Sequence, residues 1–542
     1  MSTRREFVAT SAATLGVVAV GAPFVPKRRA YDLVVRGGHV LDGTGAAARV
    51  ADIAVSNGRI VAVGATLKDT GREEINARGM TVAPGFIDIH SHGDGNLRDD
   101  PRVESVIRQG VTTMVVGADG SSRFTGEAGD SFADWAARTQ ALAPAVNVAS
   151  MIGLGSVRGK VVGEMDRQPT AAELTQMTAM VERAVAEGAC GASTGLEYTP
   201  GAFAKLDELV ALCRPLSARR LSYATHMRNE DDQLLEAIDE SIAVARGARC
   251  GLQVSHLKQQ GTRNWTKIDA CFTRLADARK AGVDAWFDVY PYVAYSTGLT
   301  NLFPTWSKDG GDAAFLARLT DPATAARIRT EAIGKVELIG GWDNVQISRV
   351  ANAEDRDAEG KRLGAWAKVR GLDPYEAAVG LLQRNATDVG MLGFAMSEDN
   401  LDRLLAHDFA MVCSDGGGFA IDGPTRRGSP HPRGAGTFPR VLGRYVRERK
   451  ALSLEQAVHK MTLRPAQRVQ LADRGRIAAK MAADLVVFDP ATVADTATFA
   501  NPFQYPIGIR DVVVNGRWAV QGGEHANGRT SGGVLRADTG AR

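Results

Sequence analysis

Eight short apolar runs alternate with amphipathic stretches through the middle of this 542-residue chain, and this alternation limits the possible folds more than any other feature. The runs are GFIDIH (85–90), TTMVVG (112–117), NVASMIG (147–153), GACGAS (188–193), LSYATH (221–226), GLQVSH (251–256), DAWFDVY (284–290) and FAMVCSD (409–415). Short apolar segments bounded by Gly and polar residues suit strands buried on both faces. TAAELTQMTAMVERAVAEG and DQLLEAIDESIAVARG, which lie between them, carry the spacing of amphipathic helices. Strand and helix in eightfold alternation predict an α/β fold, a (β/α)8 TIM-type barrel. The span from about 300 to 405 is too long for one helix. It is expected to be an insertion over the barrel mouth, with helices around Ala313 to Gly334 and Pro374 to Asn385.

The two ends have a different texture. YDLVVRGGHVLD, DIAVSNGRIVAVG and MTVAPG near the start, and ADLVVFDP and DVVVNGRWAVQGG near the end, are β-rich and punctuated by Gly. Asn57-Gly58 and Asn515-Gly516 are hairpin signals, because a type I′ turn needs two residues at positive φ. One small β-sandwich domain assembled from both termini is expected, over 31–84 and 466–542, with the barrel spanning 85–465.

Barrel enzymes build their sites at the C-terminal ends of the strands. Here the first run ends in His90 and His92, the fifth in His226, the sixth in His256 and the eighth in Asp415. Four of the nine histidines thus fall at expected strand ends on one face. Asp119 follows the second run and Glu197 the fourth. Imidazole nitrogen and carboxylate oxygen suit zinc and similar divalent ions. One or two Zn2+ ions are therefore expected, held by His90, His92, His226 and His256. An anionic bridge would come from Glu197, the favoured group, or from Asp119, and either carboxylate can instead orient a histidine.

The formal charge of +3 comes from the N-terminus. Residues 1–30 carry five basic side chains and one acidic one, a net +4, so the remainder stands at 3 − 4 = −1. That balance leaves no basic footprint for nucleic acid. The five cysteines are scattered, without a CxxC pair, and read as core residues. Arg4-Arg5, followed by the mildly apolar stretch from Ala9 to Phe24, resembles a twin-arginine export signal over 1–30. A periplasmic or secreted location is the expectation, and no segment has the length and apolarity of a stable membrane span.

With PGFIDIHSHGD, GVTTMVVG, STGLEYTPG, YATHMRNE, LQVSHLK, DVYPYVAYST, CSDGGG and HPRGAGTFPRVLGRYV in place, the chain resembles the amidohydrolase superfamily, and within it the N-acyl-D-amino-acid deacylase (D-aminoacylase) branch. RGRIAAKMAADLVVFDP resembles the superfamily's return to the small β domain. The likeness runs over nearly the whole chain after residue 30. One departure bears on the metal: the branch carries a metal-binding cysteine in a Gly-Asn-Cys-Gly loop, where this chain has Asp119 in Gly117-Ala118-Asp119-Gly120.

The resemblance implies hydrolysis of the amide of an N-acyl-D-amino acid to a carboxylate and a D-amino acid. A metal-activated hydroxide would attack, and Asp415 would carry the proton to the departing amine. It also implies a small-molecule substrate with a free carboxylate, held by Lys258, Tyr290, Ser296 and Arg433, the last able to offer a bidentate fork. The D configuration is inherited wholly from the resemblance. The nearest alternatives are a dipeptidase acting on D-residue or isoaspartyl peptides and a cyclic-amide hydrolase. A non-catalytic relative would have lost its metal ligands, whereas His90, His92, His226, His256 and Asp415 are all present here.

Overall fold

The β-rich ends of the chain pair with each other. In the computed structural model, which describes residues 29–125, 131–526 and 531–538, Leu485–Phe488 lies antiparallel between Thr81–Pro84 from the start of the chain and Ile509–Val514 from its end. The sheet they share has nine strands and continues through Arg29–Val40 to Arg49–Ser56 and Arg59–Gly64. Both Asn-Gly pairs make the expected two-residue turns, with φ of 52° and 73° at Asn57-Gly58 and 49° and 79° at Asn515-Gly516. Most of the predicted export signal, residues 1–28, lies outside the described residues, and the first strand already begins at Arg29.

Leu485–Phe488 is apolar at every position because both of its faces are covered. Leu485 and Val487 join Leu33, Val35, Ile53 and Val55 in one core. Val486 and Phe488 point the other way, into the main core, where the Phe488 ring stands 6.3 Å from that of Phe86.

The main body has parallel strands at all eight expected places, the third of them divided into two strands. Phe86–Asp88, Val111–Val116 and Asn147–Ser150 form one ladder. Ile152–Gly153, Gly191–Gly195, Ser222–His226, Gly251–Val254, Ala285–Val289 and Ala410–Val412 form a second. Only Met151 separates the two ladders along the chain. The last stretch returns to the first: Asp415 N donates to His90 O and His92 N to Gly416 O, each at 2.9 Å. The expected helices occur as Ala171–Glu187 and Leu234–Ala248. The former opens on a Thr170/Glu173 capping box and stops at Gly188, with φ of 120°, which places the fourth strand at 191–195 rather than 188–193.

The insertion differs from expectation in two ways. Its first helix is divided into Asp312–Arg318 and Ala325–Leu338, with Pro322, which lacks an N–H, between them. It also carries a three-stranded antiparallel sheet of Ala294–Gly298, Val389–Phe394 and Val345–Val350, so it begins before residue 300. No helix among the described residues is long and apolar enough to cross a membrane.

Candidate metal centre and catalytic cavity

The strand ends deliver their polar residues to one place. His90 and His92 follow the first strand, His226 closes the fifth, His256 follows the sixth by two residues, and Asp415 follows the eighth by three. Asp119, His256 and Asp415 all adopt left-handed backbone, with φ of 49°, 37° and 49°. Non-glycine residues rarely sit there, at a cost of order 1–3 kcal/mol each, and such strain collects at functional sites. Here it turns three side chains inward where the chain leaves a strand.

Asp119 stands at the centre. Its Oδ2 lies 3.3 Å from His90 Nε2 and 3.2 Å from His92 Nε2, while its Oδ1 lies 3.5 Å from His256 Nε2. Asp415 Oδ1 faces the first pair from the other side, at 3.4 Å from His90 and 3.2 Å from His92. His226 Nδ1 is 3.1 Å from His256 Nε2. Two metal-sized donor sets result, His90/His92/Asp119/Asp415 and Asp119/His226/His256, and Asp119 belongs to both. Glu197, the favoured bridge on sequence grounds, reaches only His226, at 3.3 Å. Asn301 at 3.2 Å and Lys335 at 3.8 Å, both from the insertion, hold it on that side. It falls in a third set, with His226 and Glu230.

The donor chemistry fits a divalent cation. His90 is buried, and neither of its ring nitrogens makes a hydrogen bond, although carboxylates of Asp119, Asp288 and Asp415 lie within 3.3–3.6 Å. Asp119 Oδ1 is likewise buried without a hydrogen bond. Orphaned buried polar atoms of this kind call for a partner. Burial opposes a charge on His90, but Asp119, Asp288 and Asp415 outweigh it and raise its pKa well above the ordinary value.

Supporting groups complete the cluster. Glu230 Oε1 lies 3.1 Å from His256 Nδ1 and accepts from Lys258 Nζ at 2.6 Å. Lys258 Nζ, which can only donate, also lies 2.7 Å from that Nδ1, so Lys258 and Glu230 compete for the ring nitrogen and together fix the ring's orientation. Asp288 accepts from the backbone N–H of His256 at 2.7 Å and from Gln253 at 2.6 Å. Sequence reasoning passed over both carboxylates. The available signals were the i+4 spacing of Glu230 from His226 and an acid inside the apolar run DAWFDVY. Lys335 had no local signal. Beside the cluster, Arg228 binds Glu240 and the carbonyls of Ala202 and Ala204, and Asn229 accepts from the N–H groups of Asp231 and Gln233, so both hold the loop that follows the fifth strand.

A cavity of about 620 Å³ opens over the cluster. His92, Asp119, Glu197, His226, His256, Lys258, Ser296, Asp415 and Arg433 all line it. His90 lies beneath, and Tyr290 is also outside the walls, its ring under the Arg433 guanidinium at 4.7 Å from the centroid. Arg433 Nη1 donates to Asp415 Oδ2 at 2.6 Å. Burial opposes ionisation of Asp415, yet Arg433 and the histidines hold its carboxyl well below the usual carboxylate range.

A family profile described as "Amidohydrolase family" matches residues 73–331 and 417–520, which include the four histidines, Asp119, Glu197, Glu230 and Asp288, with Asp415 just before the second segment. The chain belongs to the amidohydrolase family. This amidohydrolase is 37% identical, over 90% of its length and 93% of the relative's, to an N-acyl-D-glutamate deacylase of Alcaligenes xylosoxydans xylosoxydans. It is 36% identical, over 92% of its length and 96% of the relative's, to a D-aminoacylase of the same organism. Among solved structures it is similar to the N-acyl-D-glutamate deacylase of Bordetella bronchiseptica, complexed with zinc and a phosphonate inhibitor that mimics the tetrahedral intermediate. The TM-score is 0.80 at 35% identity, covering 94% of this chain and all of the other.

Proposed function

We propose that this amidohydrolase is a zinc-dependent N-acyl-D-amino-acid deacylase. The observation that carries the reading is the placement of Asp119 between two histidine pairs, with the Asp415–Arg433 pair beside it on the wall of one cavity. The D configuration rests on the named activities of the relatives. The eight parallel strands, with hydrogen bonds from the last back to the first, support a (β/α)8 barrel. The shared terminal sheet around its own core supports a small β-sandwich domain from both ends. The arginine pair at Arg4-Arg5 and the apolar stretch after it support export.

His90, His92, His226 and His256 would hold the metal, with Asp119 as the bridge in preference to Glu197. Zinc held there supplies positive charge that acidifies water and polarises an amide carbonyl. Asp415, ionised beside Arg433, accepts the proton of the attacking water. It returns that proton to the amide nitrogen as the C–N bond breaks, so the amine leaves neutral and the acyl group as a carboxylic acid, whose remaining proton then passes to the amine to give a carboxylate and an ammonium group. Arg433 has N–H groups left over after Asp415, and these, with Lys258 and Ser296, suit the substrate carboxylate. Tyr290 acts from below, by fixing the Arg433 guanidinium.

The test is amine release by zinc-loaded protein from paired N-acetyl-D- and N-acetyl-L-amino acids and from D-residue dipeptides. Turnover of the acetyl-D set is the expected outcome. Turnover confined to dipeptides would move the assignment to a peptidase.

A further inference from the structure

The relatives named above differ in whether their substrate carries a second carboxylate, and their near-equal identity to this chain does not choose between them. The cavity does. Away from the metal cluster its wall runs along Gly155, Gly159 and Gly201 to Glu164 at the rim. Gly155 and Gly201 are packed against backbone, where a Cβ would come within 2.9 Å of Gly120 O and 2.8 Å of Gly195 O, and Gly159 lies between Pro200 and Glu164. A Cβ on Gly159 would stand 3.8 Å from Glu164 Oε1. Burial, and Asp312 nearby, raise the Glu164 carboxyl above its ordinary pKa against the pull of Arg158.

The cations near this branch each have a carboxylate or carbonyl partner, and the N–H groups that Arg433 keeps after Asp415 are taken by the substrate's own carboxylate. Lys258 and Arg433 are the Lys and Arg side chains that line the cavity, and they are paired with Glu230 and Asp415. Lys335 is not in the wall; it pairs with Asp231 at 2.5 Å. Lys308, also outside the wall, donates to the Thr300 carbonyl, and the buried Arg158 pairs with Glu208. A second cavity, of about 380 Å³, shares Arg433 and contains Arg349 and Arg427. These are paired with Asp388 and Asp99.

We propose that the substrates of this amidohydrolase lack a second carboxylate, and that Glu164 is a specificity-determining residue that repels acidic side chains from the glycine-lined branch. Specificity of this kind needs a repulsive element as well as a fit, and like charges set against each other discriminate strongly. The inference rests on the deacylase reading and deepens it.

The experiment compares kcat/KM of the zinc-loaded protein for N-acetyl-D-methionine and N-acetyl-D-leucine with that for N-acetyl-D-glutamate and N-acetyl-D-aspartate. The comparison is made for wild type and Glu164→Arg, at low and high salt. Wild type is expected to favour the neutral pair by about tenfold or more. Glu164→Arg is expected to narrow that ratio by about threefold, with metal content unchanged, and salt should weaken the gain because the rim is open to solvent. Preference of wild type for either acidic substrate, or a ratio unmoved by Glu164→Arg, overturns the proposal and leaves the deacylase reading standing. Turnover of no N-acetyl-D-amino acid by metal-loaded protein overturns both.

Discussion

Arg433 Nη1 donates to Asp415 Oδ2 at 2.6 Å, and both side chains are buried against the metal-side histidines. This pair separates proton transfer from metal binding. Asp415 belongs only to the donor set of His90 and His92, whereas Asp119 serves both histidine pairs. Asp415→Asn keeps the shape and loses the base. It is expected to retain metal, measured by elemental analysis, and to lose about a hundredfold or more in kcat. Loss of metal in step with activity would make Asp415 mainly a ligand.

The carboxylate that joins the two histidine pairs can be identified by substitution. Asp119 lies within 3.2–3.5 Å of His90, His92 and His256, and Glu197 within 3.3 Å of His226 alone. Burial works against ionisation of Glu197, but Lys335 and His226 hold its pKa down to about 2, so its charge already has partners. Asp119→Asn is therefore expected to lower the metal-to-protein ratio and abolish turnover. Glu197→Gln should keep most of the metal. The reverse pattern would return the bridge to Glu197.

The strand-end logic succeeded where chemistry is local. His90 and His92 are legible because a strand end and two-residue spacing decide where they go, and the same holds for His226 and Asp415. What sequence could not order was distance across the cluster. Asp119 and Glu197 both sit just past strand ends, and only the turn at Asp119 and Gly120, with φ of 49° and 77°, places the former between the histidine pairs. Glu230 and Lys335 were missed for a related reason. Their role depends on what faces them, the His256 ring in one case and Asp231 in the other, and neither relation leaves a local pattern. The insertion's antiparallel sheet escaped because VQISRV and VGMLGF are short and lie far apart in the chain.

Metal removal should destabilise the fold as well as stop turnover. Three carboxylates, Asp119, Asp288 and Asp415, crowd the buried His90, and a bound cation relieves their mutual repulsion. Any ligand that binds only the folded state stabilises it, by about 4 kcal/mol when its free concentration is a thousandfold above Kd. Treatment with a chelator is expected to lower Tm by several degrees, and added zinc should restore both Tm and amine release. An unchanged Tm, with metal shown to be gone, would mean that the histidine cluster is held by its protein contacts alone.

A buried lysine far from the cavity sets a pH dependence of its own. Lys460, in the helix Leu454–Met461, donates to the carbonyls of Leu405 and His407, each at 2.6 Å. Burial, reinforced by Arg464, lowers its pKa from 10.5 to about 7. Between those values the unfolded chain binds a proton that the folded chain does not, so this group's contribution to stability rises as pH climbs from about 7 towards 10.5. Below pH 7 the folded protein carries the full cost of a buried charge. Lys460→Met removes the titration. The difference in Tm, variant minus wild type, is therefore expected to be largest at pH 7 and to shrink steadily towards pH 10. Lost hydrogen bonds to the two carbonyls offset the variant at every pH, so the slope of that difference is the readout and its sign at one pH is not. A difference that stays flat from pH 7 to pH 10 would show that Lys460 titrates near its ordinary value.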